Sequence, residues 1–309
     1  MNHVEEPLVS IIIPTYKRSH MLERAIDSAL NQTYKNIEIV VVDDNAPLSD
    51  SREKTKLVMQ KYNNKKNILY YEMKSNSGGA VARNKGVQIS NGEYICFLDD
   101  DDEYLPRKIE LQVGKFSNSN IPLSVVGGHA DIVNEDGKLI RTERISIKGD
   151  VYKRQLRKNT CSNAVAMIKR NIFDSVGGFE KIPSSQEHLL FIKLFSKCPN
   201  FDYVDDVVAK INFHNEERIS TNLEKPKGAI MLHDYVKSIY SNLPMDERKD
   251  IDRHHYKNIA IAYLSINNKI EAIRYIFKII KSKKCINKDS LKLLILTFIY
   301  KIYVKKSFR

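Results

Sequence analysis

The sequence predicts an α/β domain with a mostly parallel central sheet, followed by a region built of helices. Three observations lead to this prediction. Short β-rich runs alternate with helix-like stretches between positions 8 and 98, which is the pattern of βαβ units. Polar or acidic residues directly follow several of these runs. From about position 228 onward, the apolar residues recur at helical spacing to the end of the chain.

The elements of the α/β part can be assigned in chain order. The predicted strands are LVSIII, IEIVVV, NILYY and EYICFL, at 8–13, 37–42, 67–71 and 93–98. Between them, HMLERAIDSALNQ places its apolar residues on one helical face, and GGAVARNKGVQIS is predicted to be a helix opened by glycines.

The pattern becomes less regular after position 103. A helix is predicted to begin with Pro106, and strands are predicted at LSVVGG and HADIVN. A further helix is expected over 186–197 and two strands over 201–213. Because EKPKG at 224–228 should interrupt regular structure, we predict two domains, 1–227 and a helical, basic 228–309.

Composition describes a folded protein without a disulfide framework. Hydrophobic residues make up 42% and charged residues 28% of the chain. The four cysteines are widely spaced and form no CxxC pair, so we expect reduced thiols and no zinc site. The acidic start MNHVEEP does not resemble a secretory signal. We therefore expect a cytoplasmic protein, peripheral to the inner face of the membrane if the basic region binds lipid.

The positive charge is concentrated in the C-terminal region, where residues 229–309 hold 17 Lys and Arg against 7 Asp and Glu. Such a region suits an anionic membrane surface or nucleic acid, although a solvated helical face would look the same. The stripe formed by Leu291, Leu294, Phe298 and Ile302 is too short to span a bilayer. It favours a membrane-surface helix, with packing against the rest of the protein as the alternative. Without a recognisable motif or any tryptophan, nucleic-acid binding is disfavoured.

Four consecutive aspartates, Asp99 to Asp102, follow the predicted strand EYICFL. Carboxylates at this density repel one another unless a cation is present, and their hard oxygen atoms suit Mg²⁺ or Mn²⁺. In open α/β sheets, ligands bind at the carboxyl ends of the strands. We therefore predict a metal site that is shared with substrate phosphates, the alternative being an acidic surface loop.

Two other strands are predicted to end in polar loops at the same edge of the sheet. PTYKR at 14–18 follows the first strand and Asp43-Asp44 the second. Tyr16 could stack on a nucleobase, and Asp44 could accept the imide N–H of a uracil. Either loop alone would be an ordinary turn.

Together these segments resemble the family 2 glycosyltransferases with the GT-A fold. The resemblance rests on VSIIIPTYKR, IVVVDDNAPLSD, NSGGAVARNKGVQISNGEYICFLDDDDEYLP, GGFE and SQEHLLFIKL, which occur in the family's order and spacing over roughly 8–220. It implies a GT-A-type nucleotide-binding domain. The last eighty or so residues carry no assignable motif, although such enzymes of bacterial surface-polysaccharide synthesis often have helical, basic extensions.

The resemblance also implies roles for individual residues. Those expected around the nucleotide are Pro14, Thr15, Tyr16, Asp44 and Arg83. Asp99 and Asp101 correspond to the two ends of the family's DxD motif, with Asp101 as a direct metal ligand and Asp99 or Asp100 nearer the ribose. The run of four aspartates leaves this assignment open by one position.

The resemblance places the general base at Glu187, in the pair Gln186-Glu187 where the family usually has Glu-Asp or Gln-Asp. Glu180 is the second choice. A charge that merely suits a helix N-terminus is the alternative explanation for Glu187. His214 matches a histidine that many members carry close to the diphosphate or the metal, although a lone histidine is more often structural.

The expected activity is inverting transfer of a sugar from a nucleotide-diphosphate sugar, UDP-sugar by preference, to the hydroxyl of a saccharide or lipid-linked saccharide, with Mn²⁺ or Mg²⁺. Nucleotidyl transfer fits less well, because PTYKR stands where a Gly-rich phosphate loop would be expected. An inactive protein that binds a nucleotide sugar or docks on a membrane is the other alternative.

Overall fold

In a computed structural model of the chain, the structure describes residues 6–213 and 223–283. Its strands, β1 to β10, are Val9–Thr15, Ile37–Asp43, Ile68–Glu72, Tyr94–Phe97, Glu103–Tyr104, Val125–Val133, Leu139–Glu143, Gly149–Asp150, Met167–Lys169 and Asn200–Asn212. Its α-helices, α1 to α10, are Ser19–Leu30, Asp50–Gln60, Gly79–Ile89, Lys108–Ser117, Tyr152–Gln155, Arg170–Ser175, Gln186–Lys197, Lys225–Ile239, Met245–Ser265 and Lys269–Lys283. A short 3-10 helix spans Asn163–Val165.

The strands form one mixed sheet in the order β3-β2-β1-β4-β9-β6-β10-β5, with β7 paired to β6 and β8 to β10. β3, β2, β1 and β4 pair in parallel, β9 is antiparallel to both β4 and β6, and β10 is parallel to β6. It follows that β1, β2, β3, β4, β6 and β10 run in the same direction. The predicted α/β fold with a mostly parallel sheet and C-terminal helices is confirmed.

The core surrounds the parallel half of the sheet. Every residue of β1 is buried, as expected for a central strand covered on both faces. Helix α1 places Leu22, Ala25, Ile26 and Ala29 in the interior, which is the face that the sequence spacing predicts. The rigid packing of β1, β2 and β4 fixes the positions of the loops that follow them.

Two predictions of separate strands are wrong. LSVVGG and HADIVN belong to one strand, β6, because Gly127 and Gly128 continue the strand where a partner approaches closely. A Cβ atom at Gly127 would lie 2.7 Å from the ring of Phe201. The two strands predicted over 201–213 likewise form one strand, β10, which ends at Asn212 and whose pairing with β6 is irregular between Tyr203 and Ala209. Such a bulge changes the register without ending the strand.

Helix α2 is an element that hydrophobic periodicity does not reveal, because it is mostly polar. Its N-terminus is nevertheless defined by a conventional cap: the Ser49 hydroxyl accepts a hydrogen bond from the Arg52 N–H. Arg52 and Thr55 are both buried, so polar side chains form the inner face of this helix. The apolar pattern on which sequence assignment relies is therefore weak here.

The chain divides into two compact units, each assembled from separate segments. The first comprises residues 1–155, 159–181 and 190–215, and the second comprises 156–158, 182–189 and 216–309. The expectation that EKPKG at 224–228 interrupts regular structure is wrong, because this segment forms the start of α8. Pro226 is tolerated there since N–H groups in the first turn have no partner within the helix. The division at 227/228 stays a prediction.

Among the helices that the structure describes, none combines the length and apolar character needed to cross a bilayer. The predicted amphipathic stripe at 291–302 lies outside the described residues.

Candidate active site at the carboxyl edge of the sheet

The ends of β1, β2 and β4 meet at one edge of the sheet, as the sequence predicts. Thr15 pairs with Asp43 at the ends of β1 and β2, and the Asp44 N–H donates to the Thr15 carbonyl at 2.9 Å. The Tyr16 N–H donates to the Asp100 carboxylate at 3.4 Å. The structure therefore brings together the three polar loops that the sequence places at strand ends.

Three of the four consecutive aspartates form a cluster that could hold a metal ion. Each of Asp99, Asp101 and Asp102 offers one carboxylate oxygen, and these oxygens lie within 4.8 Å of one another. Hard oxygen donors at this spacing fit Mg²⁺ or Mn²⁺. The predicted ligands Asp99 and Asp101 belong to the cluster, and Asp102 is a third candidate ligand that the motif did not indicate.

Asp100 belongs to a different environment from its neighbours. Its side chain is buried and forms an ion pair with Arg18 at 2.7 Å. Burial raises the pKa of Asp100 to about 7, while the charge of Arg18 opposes the rise and that of Asp101 adds to it. This carboxyl group supports the loop of Tyr16, and its predicted place near the ribose stays a prediction.

Arginine side chains supply positive charge to the acidic cluster. Arg18 contacts Asp101 at 2.7 Å in addition to Asp100, and Arg83 contacts Asp99 at 2.5 Å. Arg24 donates to the Asp101 carbonyl at 3.1 Å and pairs with Glu103. The expectation that a bound cation alone relieves the repulsion is therefore incomplete. Arg18 was missed as a site residue, although it stands inside the PTYKR motif.

The residues assigned to the nucleobase occupy two kinds of position. Pro14 and Thr15 are buried at the end of β1, whereas Tyr16 is 41% exposed. The Lys17 ammonium lies 5.1 Å from the centre of the Tyr16 ring. Tyr16 can therefore offer a ring face to a ligand, while Pro14 and Thr15 contribute mainly to the shape of the loop.

Asp44 is a buried carboxylate that organises the start of α3. It accepts hydrogen bonds from the N–H groups of Ser77 and Gly78, both at 2.8 Å, and from the Asn76 side chain at 3.3 Å. Burial raises the pKa of Asp44, and the two N–H groups oppose this rise. A carboxylate offers about four acceptor sites, so three bonds leave room for one further donor.

Arg52 is a second arginine that sequence reasoning missed, and unlike Arg18 it is buried. Its guanidinium contacts the Asp43 carboxylate at 3.1 Å, the Glu72 carboxylate at 2.9 Å and the Met73 carbonyl at 2.9 Å. Tyr70 also donates to Asp43, at 2.7 Å. These bonds join the ends of β2 and β3 and hold the Asp43-Asp44 loop. No sequence motif predicts that Arg52 has this role.

The two candidate bases lie in different segments. Glu187 is half-buried in the first turn of α7 and belongs to the second unit. Glu180 belongs to the first unit and pairs with Lys193 at 3.0 Å, an interaction that already occupies its carboxylate. The predicted ligand His214 lies outside the described residues.

Three histidines without an assigned role stack inside the second unit. The rings of His188 and His255 are 6.1 Å apart, and those of His233 and His255 are 4.9 Å apart. His255 Nε2 donates to the Leu156 carbonyl at 2.8 Å, and His233 bonds to Asp252 at 2.8 Å. All three rings are buried. Because His188 follows Glu187 directly, this stack anchors the turn that carries the predicted base.

Sequence comparison agrees with this geometry. The family model described as Glycosyl transferase family 2 matches residues 10–177, which include the strand ends, the acidic cluster and Arg83. The match covers more than half of the chain. The chain therefore belongs to glycosyltransferase family 2.

Relatives of similar sequence are named as glycosyltransferases. An uncharacterized glycosyltransferase of Rickettsia felis is 34% identical over 68% of this chain and 35% of the relative, so the chain spans about a third of that relative's length. One of Haemophilus influenzae is 29% identical over 94% of this chain and 95% of the relative. The Escherichia coli glucosyltransferase WfgD is 32% identical over 46% of this chain and 54% of the relative.

Solved structures share the fold at low sequence identity. The Staphylococcus aureus protein TarS, crystallised as residues 1-349 with UDP-GlcNAc, matches with a TM-score of 0.62 and 15% identity, covering 89% of this chain and 88% of that fragment. The mannosyltransferase PcManGT of Pyrobaculum calidifontis, in complex with GDP-Man and Mn²⁺, matches with a TM-score of 0.58 and 17% identity, covering 97% and 82%. These likenesses support the GT-A fold.

Proposed function

We propose that this chain is an inverting glycosyltransferase that uses Mn²⁺ or Mg²⁺. It moves a sugar from a nucleotide-diphosphate sugar to a hydroxyl of a saccharide or lipid-linked saccharide. The observation that carries the proposal is the cluster of Asp99, Asp101 and Asp102 at the carboxyl edge of the sheet. Its place beside the exposed ring of Tyr16 supports a ligand with both a base and phosphates.

UDP is the preferred nucleotide of the donor. The aromatic face of Tyr16 supports base stacking, and the remaining acceptor site of Asp44 supports a bond from the uracil imide. WfgD is named for UDP-Glc and TarS was crystallised with UDP-GlcNAc, whereas PcManGT was crystallised with GDP-Man. The Tyr16 and Asp44 pair is the feature of this chain that supports UDP in our proposal.

The side chains around the acidic cluster would hold the diphosphate. Asp101 and Asp99 are the proposed metal ligands, with Asp102 as a third. When bound, the ion supplies positive charge that stabilises the departing diphosphate. Arg18 contacts the Asp101 carboxylate and Arg83 contacts the Asp99 carboxylate, so both guanidinium groups lie beside the proposed metal site. They are therefore suited to contact phosphate oxygens of the donor. Positive charge that is already positioned beside the diphosphate stabilises the negative charge that develops on it in the transition state.

The proposed base is Glu187. Its carboxylate accepts the proton of the acceptor hydroxyl while that oxygen attacks the anomeric carbon. The bond from that carbon to the diphosphate oxygen breaks, and its electron pair leaves with the nucleoside diphosphate. Attack from the opposite side inverts the anomeric configuration. General-base assistance of this kind contributes about 10² to 10⁴-fold.

The proposed acceptor is a lipid-linked saccharide of cell-surface glycoconjugate synthesis. WfgD is named for an acceptor that is a GlcNAc-diphosphoundecaprenol, which is anionic and lipid-linked. The basic C-terminal part of this chain is suited to an anionic membrane surface on which such an acceptor would be presented. Contact with that surface is part of the proposal.

Replacing Asp101 with Asn tests the metal role. This change keeps the size of the side chain and removes its charge, so we expect donor hydrolysis and sugar transfer with Mn²⁺ to fall by roughly 10²-fold or more. The measurement is release of UDP from a panel of UDP-sugars. Undiminished turnover by the variant in chelator-treated buffer would refute the proposal. Pyrophosphate release from a nucleoside triphosphate and a sugar phosphate would instead indicate nucleotidyl transfer.

Glu187→Gln separates the base from the metal site. We expect transfer to an acceptor to fall by about 10² to 10⁴-fold while donor-dependent thermal stabilisation is kept. Glu180→Gln is the matched control, since it removes the same charge from a carboxylate paired with Lys193. If the Glu180 variant loses transfer and the Glu187 variant does not, the base is Glu180.

A further inference from the structure

A cleft of about 410 Å³ lies in the second unit beside the turn that precedes α7. The residues that define its chemistry are Ser184, Ser185, Lys225, Asn258 and Ile261. They come from the turn before α7, from the start of α8 and from α9. Ser185 lies two positions before Glu187, so the cleft is adjacent in the chain to the proposed base.

The turn that forms one wall of the cleft packs closely against the start of α8. The Ser184 hydroxyl donates to the Lys225 carbonyl at 2.8 Å, and Ser185 has a left-handed backbone with φ of 64°. A Cβ atom at Gly228 would lie 2.4 Å from the Ser184 backbone nitrogen. Only glycine permits this approach, so the cleft is a defined feature of the packing between the turn and the helix.

Lys225 is the cation of the cleft. It is half-buried, and no ion pair to it is found within the described residues. Burial lowers its pKa. It also occupies the first position of α8, where the positive end of the helix dipole disfavours a cation and favours an anion. By contrast, Lys227 is exposed and pairs with Glu224 at 3.2 Å.

The remaining wall is apolar. Ala229, Ile261 and Ala262 line it, and Ile261 is 38% exposed. An inorganic anion would leave this surface without a partner, whereas an amphiphile would cover it. Lys225, the Ser185 hydroxyl and the Asn258 amide are suited to the oxygens of a phosphate group, whereas the Ser184 hydroxyl already donates to the Lys225 carbonyl. The apolar wall is suited to the first units of a hydrocarbon chain.

We propose that this cleft binds the phosphate end of a prenyl-linked acceptor and thereby presents the acceptor saccharide to Glu187. The inference rests on the proposed function, since it names the acceptor class of the same reaction. It assigns Lys225 as a residue that determines acceptor specificity.

The test uses the full chain with geranyl diphosphate as the soluble probe, titrated without divalent metal so that the acidic cluster does not contribute. We expect Lys225→Gln to weaken binding by roughly tenfold or more, because a hydrogen bond from a charged donor is lost. Lys225→Arg should retain most of the affinity. Lys227→Ala is the matched control and should bind as the wild type does.

Two further arms distinguish the sources of affinity. Geraniol lacks the phosphates and inorganic pyrophosphate lacks the chain, so each should bind at least tenfold more weakly than geranyl diphosphate. If pyrophosphate binds as tightly as geranyl diphosphate, the proposal that the ligand is an amphiphile is refuted. If Lys225→Gln and the wild type bind the probe equally well, the proposal that this cleft is the binding site is refuted.

Donor hydrolysis keeps this test separate from the proposed function. Lys225→Gln should hydrolyse a UDP-sugar at the wild-type rate while its KM for a prenyl-diphosphate saccharide rises by about tenfold. If hydrolysis is absent in the wild type, the proposed function fails. If hydrolysis is present and the acceptor KM is unchanged by the variant, only the acceptor cleft fails.

Discussion

At the scale of single residues, the acidic cluster carries its own counter-charges. Arg18 bridges Asp100 and Asp101, and Arg83 holds Asp99, so the four consecutive aspartates are partly neutralised by the chain itself. A metal ion would have to compete with Arg18 for the Asp101 carboxylate. The same arginine would be released toward the donor phosphates when the ion and the donor bind together.

Arg18→Ala should therefore strengthen binding of Mn²⁺ in the absence of nucleotide. Removing a competing positive charge is expected to tighten the Kd by about 3- to 10-fold, the order of a surface-exposed charge interaction. Titration of Mn²⁺ followed by electron paramagnetic resonance measures this directly. Lys17→Ala is the control, because it removes a neighbouring positive charge that lies over the Tyr16 ring. We expect this variant to bind Mn²⁺ as the wild type does. Weaker Mn²⁺ binding by Arg18→Ala would show that the arginine supports the metal site.

Sequence reasoning at this scale succeeds where a motif fixes the backbone. The strand ends and the Asp99 and Asp101 pair could be predicted, because an apolar strand followed by polar residues has few alternatives in a parallel sheet. The partners of these residues could not. Arg18 and Asp101 are separated by 83 positions in the chain, and Arg52 contacts Glu72 from a polar helix. Neither pair produces a periodic pattern in the sequence from which it could be predicted.

At the scale of secondary-structure elements, the first turn of α7 is held by aromatic stacking. His188 of α7, His233 of α8 and His255 of α9 stack in sequence, with Asp252 as the acidic group beside them. Burial lowers the pKa of His233 and lowers that of His255 to about 3. Both rings are therefore neutral at pH 7, and the stack depends on this neutral state.

Acidification should destabilise the fold through His255. Its folded pKa of about 3 is below the ordinary value of 6.5, so the unfolded chain binds a proton first as the pH falls. Its stabilising contribution is complete above pH 6.5 and is lost between there and about 3, at roughly 1 kcal/mol per pH unit.

His255→Gln keeps a donor for the Leu156 carbonyl and cannot titrate. We expect the drop in thermal midpoint between pH 7.5 and pH 5 to be smaller in this variant than in the wild type. His254→Gln, at the exposed neighbouring position, should leave the drop unchanged. An identical drop in all three proteins would exclude His255 as its source.

Helix α10 presents a mixed apolar and basic face to the surroundings. Ala272, Ile276 and Ile279 are buried on its inner side. Ile270 and Phe277 are 71% and 59% exposed, and they alternate on the outer side with Arg274 and Lys281. Exposed apolar residues flanked by cations are typical of helices that bind an anionic lipid surface.

Phe277→Glu should therefore weaken sedimentation of the chain with vesicles rich in phosphatidylglycerol. Loss of apolar contact and an added negative charge are expected to reduce the bound fraction by several-fold at low salt. Leu57→Glu is the matched control, since Leu57 is 61% exposed in α2. Equal losses in both variants, or none in either, would contradict a role for this face.

At the scale of the whole molecule, local patterns predicted the fold well, while the division of the chain at 227/228 stays a prediction. Regular alternation gave the parallel half of the sheet and the terminal helices. β6 and β10 were each predicted as two strands, since the effect of a glycine pair or a bulge depends on the neighbouring strand. The assembly of units from distant segments depends on contacts such as that between Leu156 and His255, which are separated by 99 positions.

This discontinuity determines which fragments of the protein can be made. The carbonyl of Leu156, the guanidinium of Arg157 and the hydroxyl of Ser184 all find their partners beyond position 224. A truncation after position 227 would remove the partners of Leu156 and Arg157 and would leave the buried ring of His188 without the His255 ring on which it stacks. A fragment that keeps α8, α9 and α10 preserves the interior of the second unit, because Ile276 and Ile279 of α10 pack with Ala260 of α9, whereas a shorter fragment exposes apolar surface.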